Sequence, residues 1–322
     1  MLVVSEKLAR ELVSIEDAIA VVGGAFAAAY AGKARSYPVV RELVGHADAI
    51  FGVKSGYDGS LPVLGLKAGG YWPGNAAKGL SNHQSVVLLF DQETGQAIAV
   101  VSANYLTGVR TGAASALATR HLARADASVL GMIGTGVQSL YQLLATSAAR
   151  PIARVLAWDP NEAGLAAFGK AVKARGLAFE APGIEAVARQ ADILITVTPS
   201  RSALVRREWI RPGTHINAMG ADTAGKQELD PALVAEATMI VDDVEQAISI
   251  GECQHAYRLG LVSRDKLRWT LGAVVAGAFG RKSASEITLF DGTGIALQDL
   301  AVAALAWRRA VERGQGQDCA PQ

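Results

Sequence analysis

Cysteine is almost missing from this chain, with Cys253 and Cys319 the two examples among 322 residues. They lie far apart, one of them in a polar tail, and no CxxC pair accompanies them. A disulfide framework and the usual zinc spacings are thereby excluded, and a reducing, cytoplasmic setting is the simple reading. An excess of one charge is also lacking: 31 Lys and Arg stand against 30 Asp and Glu, a formal charge of +1. Nothing in that balance calls for nucleic acid or an anionic membrane as partner. Long apolar runs are absent. The longest uncharged one, Ala18 to Gly32, is too short to span a bilayer and follows Glu11, Glu16 and Asp17, an acidic lead-in unlike that of a secretory signal. It reads as a core helix with Ser14 as N-cap and Asp17 in the capping-box position, where Glu or Gln is more usual.

Catalytic signatures of several classes are missing too. There is no GxSxG, and His46, His83, His121, His215 and His255 show no HxH or HExxH spacing. The segment "GECQHA" offers Glu252, Cys253 and His255 without a convincing fourth ligand, so no metal is expected. No internal repeat or low-complexity linker is present.

What is present is apolar and glycine-rich: half the residues are hydrophobic and 34 are glycine, which suits a well-cored α/β protein of about two domains. Up to about residue 120, strand-like pieces ("YPVVREL", "AIFGVKSGY", "VLGLKAGG", "SVVLLFD", "AIAVVSA") alternate with turn signals ("DGS", "PGN", "ETG"). That pattern predicts an antiparallel or mixed sheet, followed by a helix at "GAASALATRHLA". From about 126 the pattern changes to regular strand–helix alternation. Strands are predicted at "ASVLGMIG", "ARVLAWD", "ADILITVT", "GTHINAMG", "TMIVDD" and "EITLFDGTG", a doubly wound parallel sheet. A helix from Leu297 to about Val311 and a polar tail expected to be disordered, "GQGQDCAPQ", close the chain.

"VLGMIGTGVQS" sets Gly134, Gly136 and Ser139 in a GxGxxS arrangement after a strand and before a helix. The first glycine suits a tight turn, the second lets a pyrophosphate approach the backbone, and a small third residue lets helix and strand pack. Asp159 ends the next strand, where an acid accepts ribose hydroxyls and disfavours a 2′-phosphate, or where an aspartate serves as a turn residue before Pro160. NAD is therefore expected over NADP. Four cations, Arg41, Lys54, Lys67 and Arg110, sit in apolar, glycine-spaced segments. Singly each reads as snorkelling or ion-paired, and together they describe an anion-seeking site. Asp222 stands past a parallel strand, placed to meet a substrate nitrogen or to cap a turn. Cations on one domain and a carboxylate on the other suit a small amino or imino acid.

The ordered segments "VVRE", "GLKAGGYWPGN", "LLFDQETGQAIAVVSANYLTGVRTGAASALATRHLA", "VLGMIGTGVQS", "AMGADTAGKQELDP" and "LFDGTGIALQDLA" resemble the ornithine cyclodeaminase/mu-crystallin family over nearly the whole chain. The resemblance implies a homodimer in which a Rossmann-type NAD domain (121–294) is inserted into an α+β dimerisation and substrate domain (1–120 plus 295–322). It implies that Arg41, Lys67 and Arg110 hold the substrate α-carboxylate and that Asp222 contacts the reacting nitrogen, with Lys67 and Asp222 as the catalytic pair. The cofactor would meet Arg110, Thr111, Gly134, Thr135, Gly136, Val137, Gln138, Asp159, Thr198, Met219, Asp291 and Gly292. Members with cyclodeaminase activity carry a glutamate in the strand where this chain has Gly52 and then Lys54. Loss of the acid and gain of a cation point to a second anionic group on the substrate, for which Lys54, Asn82 and His83 are candidates. "LKAGGYWPGN", "NHQS", "GADTAGKQELDP" and "SIGECQHA" resemble the iminosuccinate-reducing members most. The implied activity is NADH-dependent reduction of iminosuccinate to L-aspartate. A cyclodeaminating lyase, an alanine dehydrogenase or cyclic ketimine reductase, and a non-catalytic nucleotide binder remain the alternatives.

Overall fold

Short apolar stretches punctuated by turn residues build the N-terminal region. β1 (Leu2–Val4) leads into α1 (Glu6–Leu12) and α2 (Ile15–Tyr30). The start of α2 carries the expected box: Asp17 N donates to Ser14 Oγ at 3.1 Å and Ser14 N donates to Asp17 Oδ2 at 3.0 Å. There follow β2 (Ala34–Ser36), β3 (Val40–Leu43), β4 (Ile50–Asp58), β5 (Val63–Tyr71), β6 (His83–Asp91) and β7 (Ala97–Ser102). Aspartates close two of the turns, Asp58 Oδ1 accepting from Ser60 N and Asp91 Oδ1 from Thr94 N. Next comes α3 (Asn104–Leu122), which starts well before the expected Gly112. Thr107, Gly108, Val109 and Thr111 are weak helix formers, so composition hides a helix that burial of its faces stabilises. Arg110 consequently stands on a helix.

The second grammar gives β8 (Val129–Ile133), α4 (Val137–Ala149), β9 (Arg154–Trp158), α5 (Glu162–Lys173), β10 (Ala178–Glu180), α6 (Ile184–Gln190) and β11 (Ile193–Thr196). It continues through β12 (Arg201–Val205), β13 (His215–Ala218), β14 (Gln227–Leu229), α7 (Pro231–Glu236) and β15 (Thr238–Val241). After α8 (Val244–Ser249), α9 (Cys253–Arg258) and α10 (Leu271–Val275), β16 (Thr288–Asp291) completes it. Seven of these strands form one all-parallel sheet in the order β10-β9-β8-β11-β13-β16-β15. β8, β11, β13 and β16 are buried along nearly their whole length, as central strands covered on both faces must be; β8 and β11 are mostly apolar, while β13 and β16 also bury His215, Asn217, Thr288 and Asp291. The Rossmann-type α/β class read from the sequence is the one observed.

Finally α11 (Ala296–Glu312) and β17 (Gln317–Asp318) return to the first sheet, whose order is β17-β1-β7-β6-β5-β4-β2, with β3 beside β4. The computed structural model describes residues 1–61 and 63–319. Part of the tail is ordered, contrary to its polar composition. Gln317 pairs with Val3, Asp318 with Leu2, and Cys319 N donates to Met1 O at 2.8 Å, so backbone pairing holds it where side chains have little to bury. The last three residues lie outside the described ones. The chain forms two compact units, one of Met1–Arg110 with the chain from Ile295 onward and one of Thr111–Gly294. In the first unit α11 lies on the sheet over two glycines. A Cβ at Gly65 would stand 2.8 Å from Leu300 Cδ2, and one at Gly56 would stand 3.3 Å from Ala296 Cβ. Among the described residues no single helix is long and apolar enough to cross a membrane.

Candidate active site

Register explains the cation cluster of the first unit. Lys54 on β4 pairs directly with Lys67 on β5, so two lysines share one face of the sheet with Cβ atoms about 5 Å apart. Like charges so placed repel, and both residues are buried. The counter-charge comes from α11: Lys67 Nζ donates to Asp299 Oδ1 at 2.8 Å, and Arg110 Nε donates to the same oxygen at 3.0 Å. Arg110 Nη1 also donates to Gln298 Oε1, which accepts from Ile295 N as well and so fixes the first turn of α11. Asp299 is 2 % exposed. Burial alone would push its carboxyl up, but Arg110 and Lys67, with Lys54 behind them, outweigh that and hold it below its ordinary range. Burial drives the Lys67 ammonium down to about 7; Asp299 opposes the shift, while Arg110 and Lys54 reinforce it.

The row beside the lysine pair reads Arg41–Gly52–Gly69–Ser85 across four strands. Adjacent glycines leave a floor without side chains between Arg41 and Ser85. The absent Cβ atoms have a further cause, since one at Gly69 would stand 2.2 Å from Gln84 O and one at Gly52 2.6 Å from Val40 O. Strand approach therefore demands glycine there whatever the ligand. His83, opposite Tyr71, lies one row further along on the same face. Arg41, Lys54, Lys67, His83 and Arg110 thus come together in one unit. Asn82 does not join them: its Oδ1 accepts from Ala76 N and its Nδ2 donates to the Tyr71 hydroxyl. One end of that amide holds the 72–80 loop and the other the last residue of β5, which corrects its expected substrate role. Asp299, the group on which Lys67 and Arg110 converge, escaped the sequence reading. Its signal was a carboxylate in the first turn of a helix, directly before the apolar run from Leu300 to Trp307.

In the second unit the glycine-rich loop meets the requirements of a dinucleotide. Gly134 has φ +96°, and a Cβ there would stand 2.8 Å from both Val197 O and Thr198 Cγ2. Gly136, the N-cap of α4, has open space around it and no side chain to cap the first-turn N–H groups. Thr135, Val137 and Gln138 surround it, Val137 being 75 % exposed. Open backbone N–H groups at a helix N-terminus suit a pyrophosphate. Asp159 follows β9 as expected, yet much of its capacity is committed: Oδ2 accepts from Thr135 N at 2.6 Å and from Thr135 Oγ1 at 3.0 Å, and Oδ1 accepts from Asn161 N. A carboxylate has about four acceptor positions, so room for a ribose hydroxyl remains. Thr111, buried next to Arg110 on α3, opens this unit.

The ends of β11, β13 and β16 lie together at the same edge of the sheet, and buried acids fasten them. Glu228 Oε1 accepts from Thr198 N at 2.6 Å, while its Oε2 accepts from Thr196 Oγ1 at 2.8 Å and Gly220 N at 2.9 Å. Burial raises its carboxyl. Met219 packs over Gly292, where a Cβ would stand 2.6 Å from its sulfur. Asp291 corrects an expectation. It is wholly buried, and its oxygens accept from Glu252 N at 3.0 Å and Cys253 N at 2.9 Å, so its side chain is committed to the start of α9. Burial lifts that carboxyl to about 7. "GECQHA" is accounted for as well: Glu252 accepts from Glu228 N and Leu229 N, and the His255 ring bonds Lys226 O. Asp222, past the end of β13, pairs with Lys226 at 2.7 Å and remains part-exposed.

The profile of the ornithine cyclodeaminase/mu-crystallin family matches residues 1–314. The iminosuccinate reductase of Paracoccus denitrificans (strain Pd 1222) is 47 % identical over 318 residues, 99 % of each chain. The crystal structure of the iminosuccinate reductase of Paracoccus denitrificans in complex with NAD+ superposes with a TM-score of 0.94 at 46 % identity, covering 100 % of this chain and 99 % of that one. An archaeal alanine dehydrogenase dimer with bound NAD superposes with a TM-score of 0.95 at 37 % identity, covering 99 % of each. The chain belongs to the ornithine cyclodeaminase/mu-crystallin family.

Proposed function

We propose that the protein is an NADH-dependent imine reductase that converts the small imino dicarboxylate iminosuccinate to L-aspartate. The observation that carries this reading is the paired Lys54 and Lys67, buried with Arg110 around Asp299 beside a glycine floor. A protein tolerates cross-strand buried lysines at the cost of desolvation, and an anionic substrate offsets it. Full-length similarity to the Paracoccus enzyme, and its complex with NAD+, support the same activity and cofactor.

When bound, NADH supplies the hydride, and the residues of the loop Gly134–Gln138 with Asp159, Thr198 and Met219 are those that would hold it. Lys67 and Arg110 fix one substrate carboxylate, Arg41 reaching over Gly52 towards it. Lys54 and His83, on the same face, take the second. Asp222 handles a proton of the substrate nitrogen, its charge tempered by Lys226. The same reading makes the protein a cytoplasmic homodimer. Supporting the dimer are the apolar outer face of the first sheet, with Val40 54 %, Phe51 42 % and Val86 44 % exposed, and the dimeric state of the archaeal relative.

Oxaloacetate with ammonia, supplied as the source of the imine, is expected to consume NADH and yield L-aspartate in equal amount. Activity with pyruvate and ammonia but none with oxaloacetate would make it an alanine dehydrogenase. Ammonia release from L-ornithine without net nicotinamide change would make it a cyclodeaminase.

A further inference from the structure

Asp299 has two oxygens in different situations. Oδ1 accepts from both Lys67 and Arg110, whereas Oδ2, equally buried, meets no hydrogen-bond donor among the described residues. A buried carboxylate oxygen without a donor is costly and calls for an explanation. Its neighbours are cations already turned towards Oδ1, and the floor beside them is made of glycine.

We propose that Asp299 Oδ2 accepts a hydrogen bond from the nitrogen of the substrate imine and of the product amine. This rests on the reading of the site as a seat for an α-imino acid. In such a molecule the nitrogen and the α-carboxylate are borne by one carbon, so their recognition groups must be neighbours of opposite sign. The two oxygens of one carboxylate supply that arrangement. Lys67 and Arg110, anchored on Oδ1, present positive charge to the substrate carboxylate, and Oδ2 presents an acceptor alongside them. An iminium nitrogen carries two N–H bonds, and Asp299 needs one. The same oxygen selects an imine or amine over the parent oxo acid, which has no donor to offer and would place its carbonyl oxygen against an anion.

The test compares an amine ligand with its des-amino analogue. Binding of L-aspartate and of succinate, each with NAD present, is measured by calorimetry for the wild type and Asp299→Asn. The variant keeps an acceptor for Lys67 and Arg110 but turns an N–H towards the nitrogen. L-aspartate is expected to weaken by roughly ten- to a hundredfold, the scale of a hydrogen bond to a charged group, with succinate changed far less. Equal weakening of both ligands, or of neither, overturns the proposal and leaves Asp299 as a support for the two cations.

If the wild type binds neither dicarboxylate, the dicarboxylate reading fails and the comparison passes to L-alanine and propionate with the same criteria. Failure of every pair overturns both readings. Should Asp299→Asn not fold, a crystal structure of the wild type with L-aspartate decides. The amino nitrogen within about 3.2 Å of Oδ2 supports the proposal, and a water alone at Oδ2 overturns it.

Discussion

Lys67 is the residue whose environment is most informative. With its ammonium driven to about 7 by burial against an ordinary 10.5, its charge changes within the working range. In the ligand-free protein the unfolded chain binds more protons than the native one between about 7 and 10.5. Lys67 therefore contributes a stability that rises with pH across that window, which chemical denaturation at stepped pH would register. Anion binding has the opposite sign, because only the protonated amine attracts a carboxylate. Succinate affinity is expected to fall as pH rises through about 7, and Lys67→Met to weaken binding about a hundredfold at pH 6 while flattening the pH profile. An unchanged profile in that variant would remove Lys67 from the anion seat. This lysine was legible in the sequence because an ammonium in an apolar, glycine-spaced strand must reach solvent or meet an anion, and three other cations stood in similar segments. Asp299 was not, because an acid in the first turn of a helix ordinarily serves the helix dipole. Asn82 and Asp291 looked functional for a related reason: polar residues beside a site hold its loops as often as they touch its ligand.

At the scale of elements, apolar runs bounded by turn residues predicted most strands closely, since both faces of the parallel strands and one face of the mixed sheet must be covered. The start of α3 was illegible because its threonines, valine and glycine carry little helix propensity, and tertiary burial decided the matter. Also unseen was how strand ends are tied together, since Glu228 lies on the short β14, far in sequence from Thr196 and Thr198. Its two oxygens accept from three donors. A glutamine in its place would turn an amide N–H against one of them. Glu228→Gln is expected to lower stability by about 1–3 kcal/mol and to raise the Kd for NADH, read by quenching of tryptophan fluorescence. Lost stability with an unaltered Kd would confine Glu228 to a structural role. Over the first sheet, α11 lies close because residue 65 is glycine. Gly65→Ala would bring a methyl 2.6 Å from Leu88 O and 2.8 Å from Leu300 Cδ2, at a cost of about 1–3 kcal/mol. Since α11 carries Asp299, the weakening should appear in succinate affinity as well as in the thermal midpoint.

For the whole molecule the open question is what covers the outer face of the first sheet. Strand alternation puts Lys54, Gly65, Lys67 and Ser85 on the face beneath α11, and it puts Val40, Val53, Ala68 and Val86 in one row across the opposite face. Tyr57, Leu64 and Phe90 form a second row on that outer side. A monomer exposing contiguous apolar rows of this kind is prone to associate, and a stable pairing needs about 1,000 Å² or more of buried surface. A broad face rich in β-branched and aromatic side chains suits a second copy of the same chain, brought together by two-fold symmetry so that each row meets its equivalent. Symmetry doubles the effect of any charge placed there, because a glutamate at the centre of the face meets apolar surface in both copies. Val86→Glu, on the middle strand β6 of the sheet and remote from the lysine face, is therefore expected to shift sedimentation at micromolar concentration from dimer to monomer. The Rossmann-type unit contains none of the altered residues, so NADH binding should survive the change. A wild type that sediments as a monomer, or a variant that remains dimeric, would require some other cover for this face.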